Sequence, residues 1–156
     1  MDAYYLDASV AVKGYIADRG SRRMLQLLEE GANHEMYLSR IGTIEVAAAL
    51  YRRTLSVETQ PEEVFSAINR LREDIQSLYR IIEFSVVTAS RAIEVAERHR
   101  LRAYDCLQLA TVQLLQEQRA SFDLTPLVLV SSDAELNAAA GSEGLAVEDP
   151  ASDEPL

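Results

Sequence analysis

Short apolar runs alternate along this chain with longer segments in which apolar residues recur at helical spacing. The runs of strand length lie at 4–6, 36–38, 81–84, 127–130 and 145–147. The predicted helices lie between them, at about 9–17, 21–30, 43–54, 62–79, 88–98 and from 103 onward, with a short one after 133. This alternation predicts an α/β fold with a central, mainly parallel β-sheet flanked by helices.

The length of 156 residues suits one domain with its own core. We expect this domain to span residues 1–149, because residues 150–156 are acidic, contain proline and show no apolar pattern, as is typical of a disordered tail. No apolar run approaches the roughly 18 residues that a membrane-spanning helix needs, and the N-terminus lacks the features of a signal peptide. The sequence therefore predicts a cytoplasmic protein without membrane contact.

Two predicted helices have apolar faces that bear on packing. The helix at 62–79 follows Pro61, a strong start signal, and its apolar residues recur at spacings of four and three. That face fits either an ordinary core face or a surface for a partner protein. The predicted inward face of the helix at 88–98 consists of Ala89, Ala92, Ile93 and Ala96.

The net charge of −10 gives the protein no long-range attraction to a polyanion. It does not exclude a nuclease, because a bound metal ion cancels local negative charge, and it also suits a basic protein partner. Six arginines are candidates for RNA phosphate contacts, with ordinary solvated arginines as the alternative: Arg40, Arg52, Arg53, Arg98, Arg100 and Arg102. The lone Cys106 excludes an internal disulfide and a cysteine-based zinc site.

Four acidic residues lie where an α/β fold places its ligands. Asp7 and Asp133 follow predicted strands, and ligands of open parallel sheets bind at the carboxyl ends of the strands. Asp105 lies near the start of a predicted helix, and Glu45 lies in the predicted first turn of another. Taken singly, each can be a helix cap or a first-turn acid that complements the helix dipole.

Together, four clustered carboxylates repel one another unless a cation lies among them. Mg²⁺ and Mn²⁺ prefer oxygen ligands, so the pattern favours one of these ions. Zinc fits less well, because neither His34 nor His99 belongs to a motif with the spacing of metal ligands.

Four segments that carry these acids resemble the four motifs of PIN-domain proteins. In chain order they are residues 5–13, 44–50, 102–110 and 129–136, followed by Gly144-Leu145. The resemblance covers roughly residues 3–149. The first motif departs from many members in having Ala8-Ser9 in place of Thr-Asn, and Cys106 stands where alanine is common. Neither departure removes a carboxylate.

The resemblance implies a three-layer α/β/α fold and an Mg²⁺- or Mn²⁺-dependent endoribonuclease. Proteins of this size in the family are most often VapC-like toxins of type II toxin–antitoxin pairs, so it also implies an antitoxin partner and a homodimer. Asp7, Glu45, Asp105 and Asp133 would be both catalytic residues and metal ligands, and the RNA ends left would be 5′-phosphate and 3′-hydroxyl. Ser9 and Ser131 would lie outside the metal shell and either orient the carboxylates or contact phosphate.

Three other functions compete with this one. A PIN-like module can bind RNA or protein without cutting. A phosphatase of the haloacid-dehalogenase type or a receiver domain also uses strand-end aspartates, but Ser9 stands where the first needs an aspartate, and the only lysine, Lys13, is too early for the second. A purely structural protein would use the helix at 62–79 for binding.

Two further side chains have predicted roles. Lys13 either steadies the acidic cluster or is solvated, and Tyr104 is expected to pack.

Overall fold

All five predicted strands pair into one parallel sheet, in a computed structural model that describes residues 1–152. The strand order is β3-β2-β1-β4-β5, and every neighbouring pair is parallel. The strands are β1 Asp2–Leu6, β2 His34–Ser39, β3 Arg80–Ile82, β4 Leu127–Val130 and β5 Ala146–Glu148. The first strand of the chain is therefore the central strand of the sheet, and its partners β2 and β4 come from distant parts of the sequence.

Within residues 1–152, seven α-helices connect and cover the strands. They are α1 Ala8–Ala11, α2 Ser21–Glu29, α3 Arg40–Arg52, α4 Pro61–Ser77, α5 Val86–His99, α6 Ala103–Ser121 and α7 Ala134–Ser142. The helix predicted at 9–17 is shorter than expected, because it ends at Ala11 and tightens into a 3₁₀ turn at Val12–Gly14. Helix α2 packs so closely there that a Cβ atom on Gly14 would lie 2.6 Å from Leu28 Cδ1.

Each face of the sheet has its own core, which gives the predicted three layers. Alternate residues of β1 point to opposite faces, so Tyr4 and Leu6 enter one core while Ala3 and Tyr5 enter the other. Helices α1 to α4 cover the first face, and α5 to α7 cover the second. The central strands are thus buried on both sides, as expected of parallel strands between helical layers.

The apolar face of α4 belongs to the first core. Val64, Ile68 and Leu71 are buried there, and the helix begins at Pro61 as predicted. The core-face interpretation of this helix is therefore confirmed, and its apolar face is not available as a partner surface.

The predicted inward face of α5 is correct for Ala92, which packs against the second core, and wrong for Ile93 and Ala96, which are exposed. Thr88 and Val95 are its buried residues, whereas Ile93 is 71% exposed. Helix α5 carries two apolar stripes, and sequence periodicity does not predict which of them packs against α6. Packing against α6 selects the stripe that contains Val95, and leaves Ile93 on the outer surface.

The C-terminal segment continues past β5 as a turn. Pro150 is buried and lies near Gly20, whose φ of +89° is favourable only for glycine. Residues 153–156, the rest of the predicted tail, lie outside the described residues. None of the helices in residues 1–152 is both long and apolar enough to cross a membrane.

Candidate active site

The carboxyl ends of β1 and β4 meet at one edge of the sheet. Leu6 pairs with Val130, and the backbone N–H of Asp7 donates to the Val130 carbonyl at 3.0 Å. The two predicted strand-end aspartates, Asp7 and Asp133, therefore lie at the same edge. Parallel pairing of neighbouring strands is the reason, because it brings equivalent strand ends together.

An open pocket of about 220 Å³ lies at this edge, and all four predicted carboxylates line it. Its wall also contains small side chains, an aromatic ring and an arginine. The lining residues are Asp7, Ala8, Ser9, Val12, Glu45, Ala49, Arg52, Tyr104, Asp105 and Asp133.

Asp7 caps a helix and faces the pocket at the same time. Its side chain is only 4% exposed, and Oδ2 accepts hydrogen bonds from the Ser9 backbone at 3.2 Å and from Ser9 Oγ at 2.5 Å. Ser131 Oγ lies 3.5 Å from the same oxygen. Burial raises the pKa of Asp7, the Ser9 hydrogen bonds oppose this rise, and the charge of Asp133 adds to it. The two predicted serines thus both lie beside the buried aspartate.

Glu45 lies in the second turn of α3, so its predicted place in a first turn is wrong. The helix begins at Arg40 because Ser39 caps it, with Ser39 Oγ accepting from the Gly42 N–H at 2.8 Å. The Oε2 atom of Glu45 is buried and has no hydrogen-bond partner among the described residues. Burial raises the pKa of Glu45, the Tyr104 hydroxyl lowers it, and the charge of Asp7 raises it further.

Asp105 and Asp133 complete the acidic wall. Asp105 lies in the first turn of α6, and burial followed by the charges of Asp133, Asp7 and Glu45 raises its pKa to about 6. Asp133 caps α7, with Oδ1 accepting from the Leu136 N–H at 2.9 Å. Each acid therefore has a local helical role as well as a place in the pocket. Burial is the largest cause of the raised pKa of Asp105, and the repulsion between carboxylates adds to it.

The chemistry of these residues suits a hard dication, but their side chains are not already arranged as a complete set of metal ligands. The donors are all carboxylate oxygens, and the buried Glu45 Oε2 lacks the partner that a buried polar atom requires. Within residues 1–152, however, no three His, Cys, Asp or Glu side chains are arranged as a ready-made metal site. Mg²⁺ commonly binds through one or two carboxylates and keeps several waters, which suits such a pocket.

Lys13, Ser132 and Asp149 form a series of hydrogen bonds beside the pocket that the sequence does not predict. Lys13 Nζ donates to Ser132 Oγ at 2.9 Å, and Ser132 Oγ donates to Asp149 Oδ1 at 3.1 Å. Lys13 is therefore not a free solvated lysine. Asp149 follows β5 directly, so the strand-end rule that found Asp7 would have found it too.

Tyr104 does more than pack. It lines the pocket beside Glu45, and its hydroxyl oxygen accepts a hydrogen bond from Nε2 of Gln108, one turn later in α6. Gln108 is buried, and its Oε1 accepts from the Tyr5 hydroxyl in the second core. A polar connection thus runs from the centre of the sheet to the pocket wall. No local sequence signal marks it, because it joins residues about a hundred positions apart.

Solved structures with the same architecture match almost the whole chain. A toxin–antitoxin complex from Klebsiella pneumoniae aligns with a TM-score of 0.65 and 20% identity over 95% of this chain and 98% of that one. FitAcB from Neisseria gonorrhoeae gives 0.60 and 21% over 94% and 97%. VapBC2 from Rickettsia felis, bound to a DNA fragment from their promoter, gives 0.57 and 17% over 94% and 97%. At such identities the likeness establishes the fold alone.

The sequence itself identifies the family. No curated protein matches the chain. The family model of the PIN domain matches residues 4–141, which include every carboxylate of the pocket and strands β1 to β4 apart from the first two residues of β1. The chain belongs to the PIN domain family.

Proposed function

We propose that this protein is an endoribonuclease that hydrolyses RNA phosphodiester bonds with Mg²⁺ or Mn²⁺. One observation carries the proposal: four carboxylates from four distant segments line one pocket, where Glu45 Oε2 is buried and has no hydrogen-bond partner within residues 1–152. A dication would supply that oxygen with a partner, and it would offset both the burial and the repulsion that raise the pKa of Asp105. The PIN family is generally one of nucleases, which agrees with this chemistry.

Asp7 and Asp105 are the residues that would hold the ion directly, with Glu45 and Asp133 acting directly or through water. When bound, the ion supplies a water of lowered pKa and stabilises charge on the phosphate oxygens. Ser9 fixes the Asp7 carboxylate by two hydrogen bonds, and Ser131 lies beside the same oxygen. Held in this way, the carboxylate loses little conformational freedom when it binds a cation.

The biological setting that we propose is that of a toxin with a cognate antitoxin, acting on RNA in the cytoplasm. The similar structure from Klebsiella pneumoniae is a toxin–antitoxin complex. The net charge of −10 suits a basic partner protein. A homodimer is also proposed, on the family resemblance, and sedimentation of the purified protein would test it.

Asparagine substitutions in the pocket test the proposed chemistry. The purified protein should cleave single-stranded RNA with Mg²⁺ or Mn²⁺ and stop when EDTA is added. Asp7→Asn and Asp105→Asn should each lose activity by at least about 100-fold, because each removes a charged oxygen that the ion requires. Asp123→Asn is a matched control: this exposed residue lies outside the pocket and has φ of +52°, which asparagine tolerates.

Two outcomes would contradict the proposal. Full activity in either pocket variant would remove that residue from the mechanism. A wild-type protein that binds RNA but shows no turnover with either metal would instead be a PIN-like module that does not cut.

A further inference from the structure

The structure divides the six candidate arginines into two groups. Arg40, Arg53 and Arg98 form ion pairs, with Glu83 at 2.5 Å, Asp18 at 3.4 Å and Glu143 at 2.8 Å, respectively. The side chains of Arg52, Arg100 and Arg102 form no hydrogen bond or ion pair with residues 1–152. An arginine already held by a carboxylate must give up that partner to bind a phosphate, so the second group is better suited to an anionic ligand.

Only Arg52 of that second group lines the carboxylate pocket. It lies in the last turn of α3, seven residues after Glu45, with Ala49 between them on the same face. Seven residues of α-helix correspond to two turns, or about 10.5 Å along the helix axis. The small side chain of Ala49 leaves the space between the acid and the arginine open. The pocket is therefore acidic in its interior and basic at one rim.

Charge balance inside the protein does not explain this arginine. The charge of Arg52 lowers the pKa of Glu45, but its effect is the smallest of the four named causes. The side chain is exposed, so its guanidinium is hydrated and available. A terminal arginine also complements the helix dipole, but Arg53 can do the same one residue later.

We propose that Arg52 binds a phosphate of the RNA chain that flanks the phosphate at the carboxylates. This inference rests on the proposed ribonuclease function. It implies that the RNA strand leaves the pocket along α3, from Glu45 towards Arg52. A protein with a charge of −10 gains little from its overall field in binding RNA, so a local cation at the pocket rim carries the contact. The guanidinium offers two parallel N–H donors to the phosphate oxygens.

The test compares two neighbouring arginines in a background that cannot cleave. Arg52→Gln and Arg53→Gln are each combined with Asp7→Asn, and binding of a fluorescent single-stranded RNA oligomer is followed by anisotropy over a range of salt concentrations. Arg52→Gln should weaken binding roughly 5- to 10-fold at low salt and reduce the slope of log K against log salt by about 0.7. Arg53→Gln should change neither, because Arg53 is paired with Asp18.

A conservative variant and a thermal melt separate binding from folding. Arg52→Lys keeps the charge and should retain the salt slope while losing part of the affinity. Both glutamine variants should melt at the wild-type temperature, since each side chain is at the surface. Equal RNA affinities and salt slopes for Arg52→Gln and Arg53→Gln would overturn the proposal.

The result is independent of whether the proposed cleavage is correct. If wild-type protein cleaves RNA while Arg52→Gln binds it normally, the assignment of Arg52 is wrong and the ribonuclease proposal stands. If wild-type protein never cleaves RNA but its binding still depends on Arg52 and not on Arg53, the phosphate contact stands and the ribonuclease proposal fails.

Discussion

Lys13 Nζ donates a hydrogen bond of 2.9 Å to Ser132 Oγ, although 119 positions separate the two residues. The backbone N–H of Ser132 in turn donates to Ser9 Oγ at 3.3 Å, and Ser9 holds Asp7. The two bonds of Ser132 therefore connect the loop after β4 to α1, which Asp7 caps, and to the 3₁₀ turn that follows it. The bond to Ser132 gives the only lysine of the chain a structural task beside the acidic pocket.

We predict that Lys13 and Ser132 are energetically coupled. Lys13→Met and Ser132→Ala should each lower the free energy of unfolding by about 1 kcal/mol, because each leaves a polar partner at the pocket edge unsatisfied. The double variant should be less destabilised than the sum, by about 0.5–1 kcal/mol, in urea unfolding. Additive effects would show that the observed bond contributes nothing to stability.

At the opposite end of the sheet, we predict that Arg119 is a major determinant of stability. It is 2% exposed and donates to Glu35 Oε2 at 2.5 Å, to the Tyr37 hydroxyl at 2.9 Å and to Thr125. Arg119→Met should cost about 3 kcal/mol in urea unfolding, because it leaves Glu35 without its buried partner.

The exposed ion pair between Arg40 and Glu83 provides the control for Arg119. Arg40 and Glu83 lie 2.5 Å apart but have side chains 46% and 65% exposed, so Arg40→Met should cost less than about 1 kcal/mol. Similar losses in the two methionine variants would mean that burial does not set the value of the Arg119 contacts.

The raised pKa of Asp105 predicts how the metal-free protein responds to pH. Its pKa is about 6 in the folded state, against 3.8 without the fold, so the folded state binds the proton more tightly. Stability is therefore lost as pH rises from about 4 to about 6, and the loss is complete above pH 6. Asp105→Asn should then be more stable than wild type at neutral pH, by about 1 kcal/mol once solvent screening of this partly exposed group is allowed for.

The pH dependence of that difference is the measurement. Urea unfolding in EDTA at several pH values should show the advantage of Asp105→Asn disappearing below about pH 4, where the aspartic acid is protonated in both states. An advantage that persists unchanged at low pH would mean that the burial and repulsion of the charged Asp105 are not its origin.

Tyr104 should act through Glu45. Its hydroxyl lowers the pKa of Glu45, and its own oxygen already accepts from Gln108, which leaves the hydroxyl proton to face the carboxylate. Tyr104→Phe should therefore weaken Mn²⁺ binding about 10-fold in calorimetry, as loss of such an outer partner generally does. Tyr51→Phe, an exposed tyrosine of the same helix as Glu45, should leave Mn²⁺ affinity unchanged. Equal affinities for the two variants would contradict a role for Tyr104.

Apolar patterning in the sequence is enough to predict the strands and the edge at which the acids gather. A strand buried on both faces is recognisable as a continuous apolar run, and Leu127–Val130 is one. Once the strands are known to be parallel, Asp7 and Asp133 must lie at the same edge. The four PIN-like motifs add Glu45 and Asp105 to that edge, and all four line one pocket in the structure.

Tertiary packing decides what the sequence does not predict. Ile93 and Val95 are both apolar and lie on different faces of α5, and only contact with α6 determines that Val95 is the buried one. The start of α3 is different, because it depends on a local signal: Ser39 caps the helix, which begins at Arg40, so Glu45 lies in the second turn and not in the first. The hydrogen bonds that link Lys13, Ser132 and Asp149 join three segments distant in sequence, and no local pattern predicts such links.

The position of β1 in the sheet has a consequence for the order in which a ribosome makes this protein. Of the five strands of the sheet, the one that is synthesised first lies in the middle, and one of its two neighbours, β4, is the fourth to be translated. Asp133 follows β4 and caps α7, so the set of four acids is incomplete on every nascent chain that has not reached this residue. A growing polypeptide that ends before Asp133 therefore has no complete pocket to present to RNA.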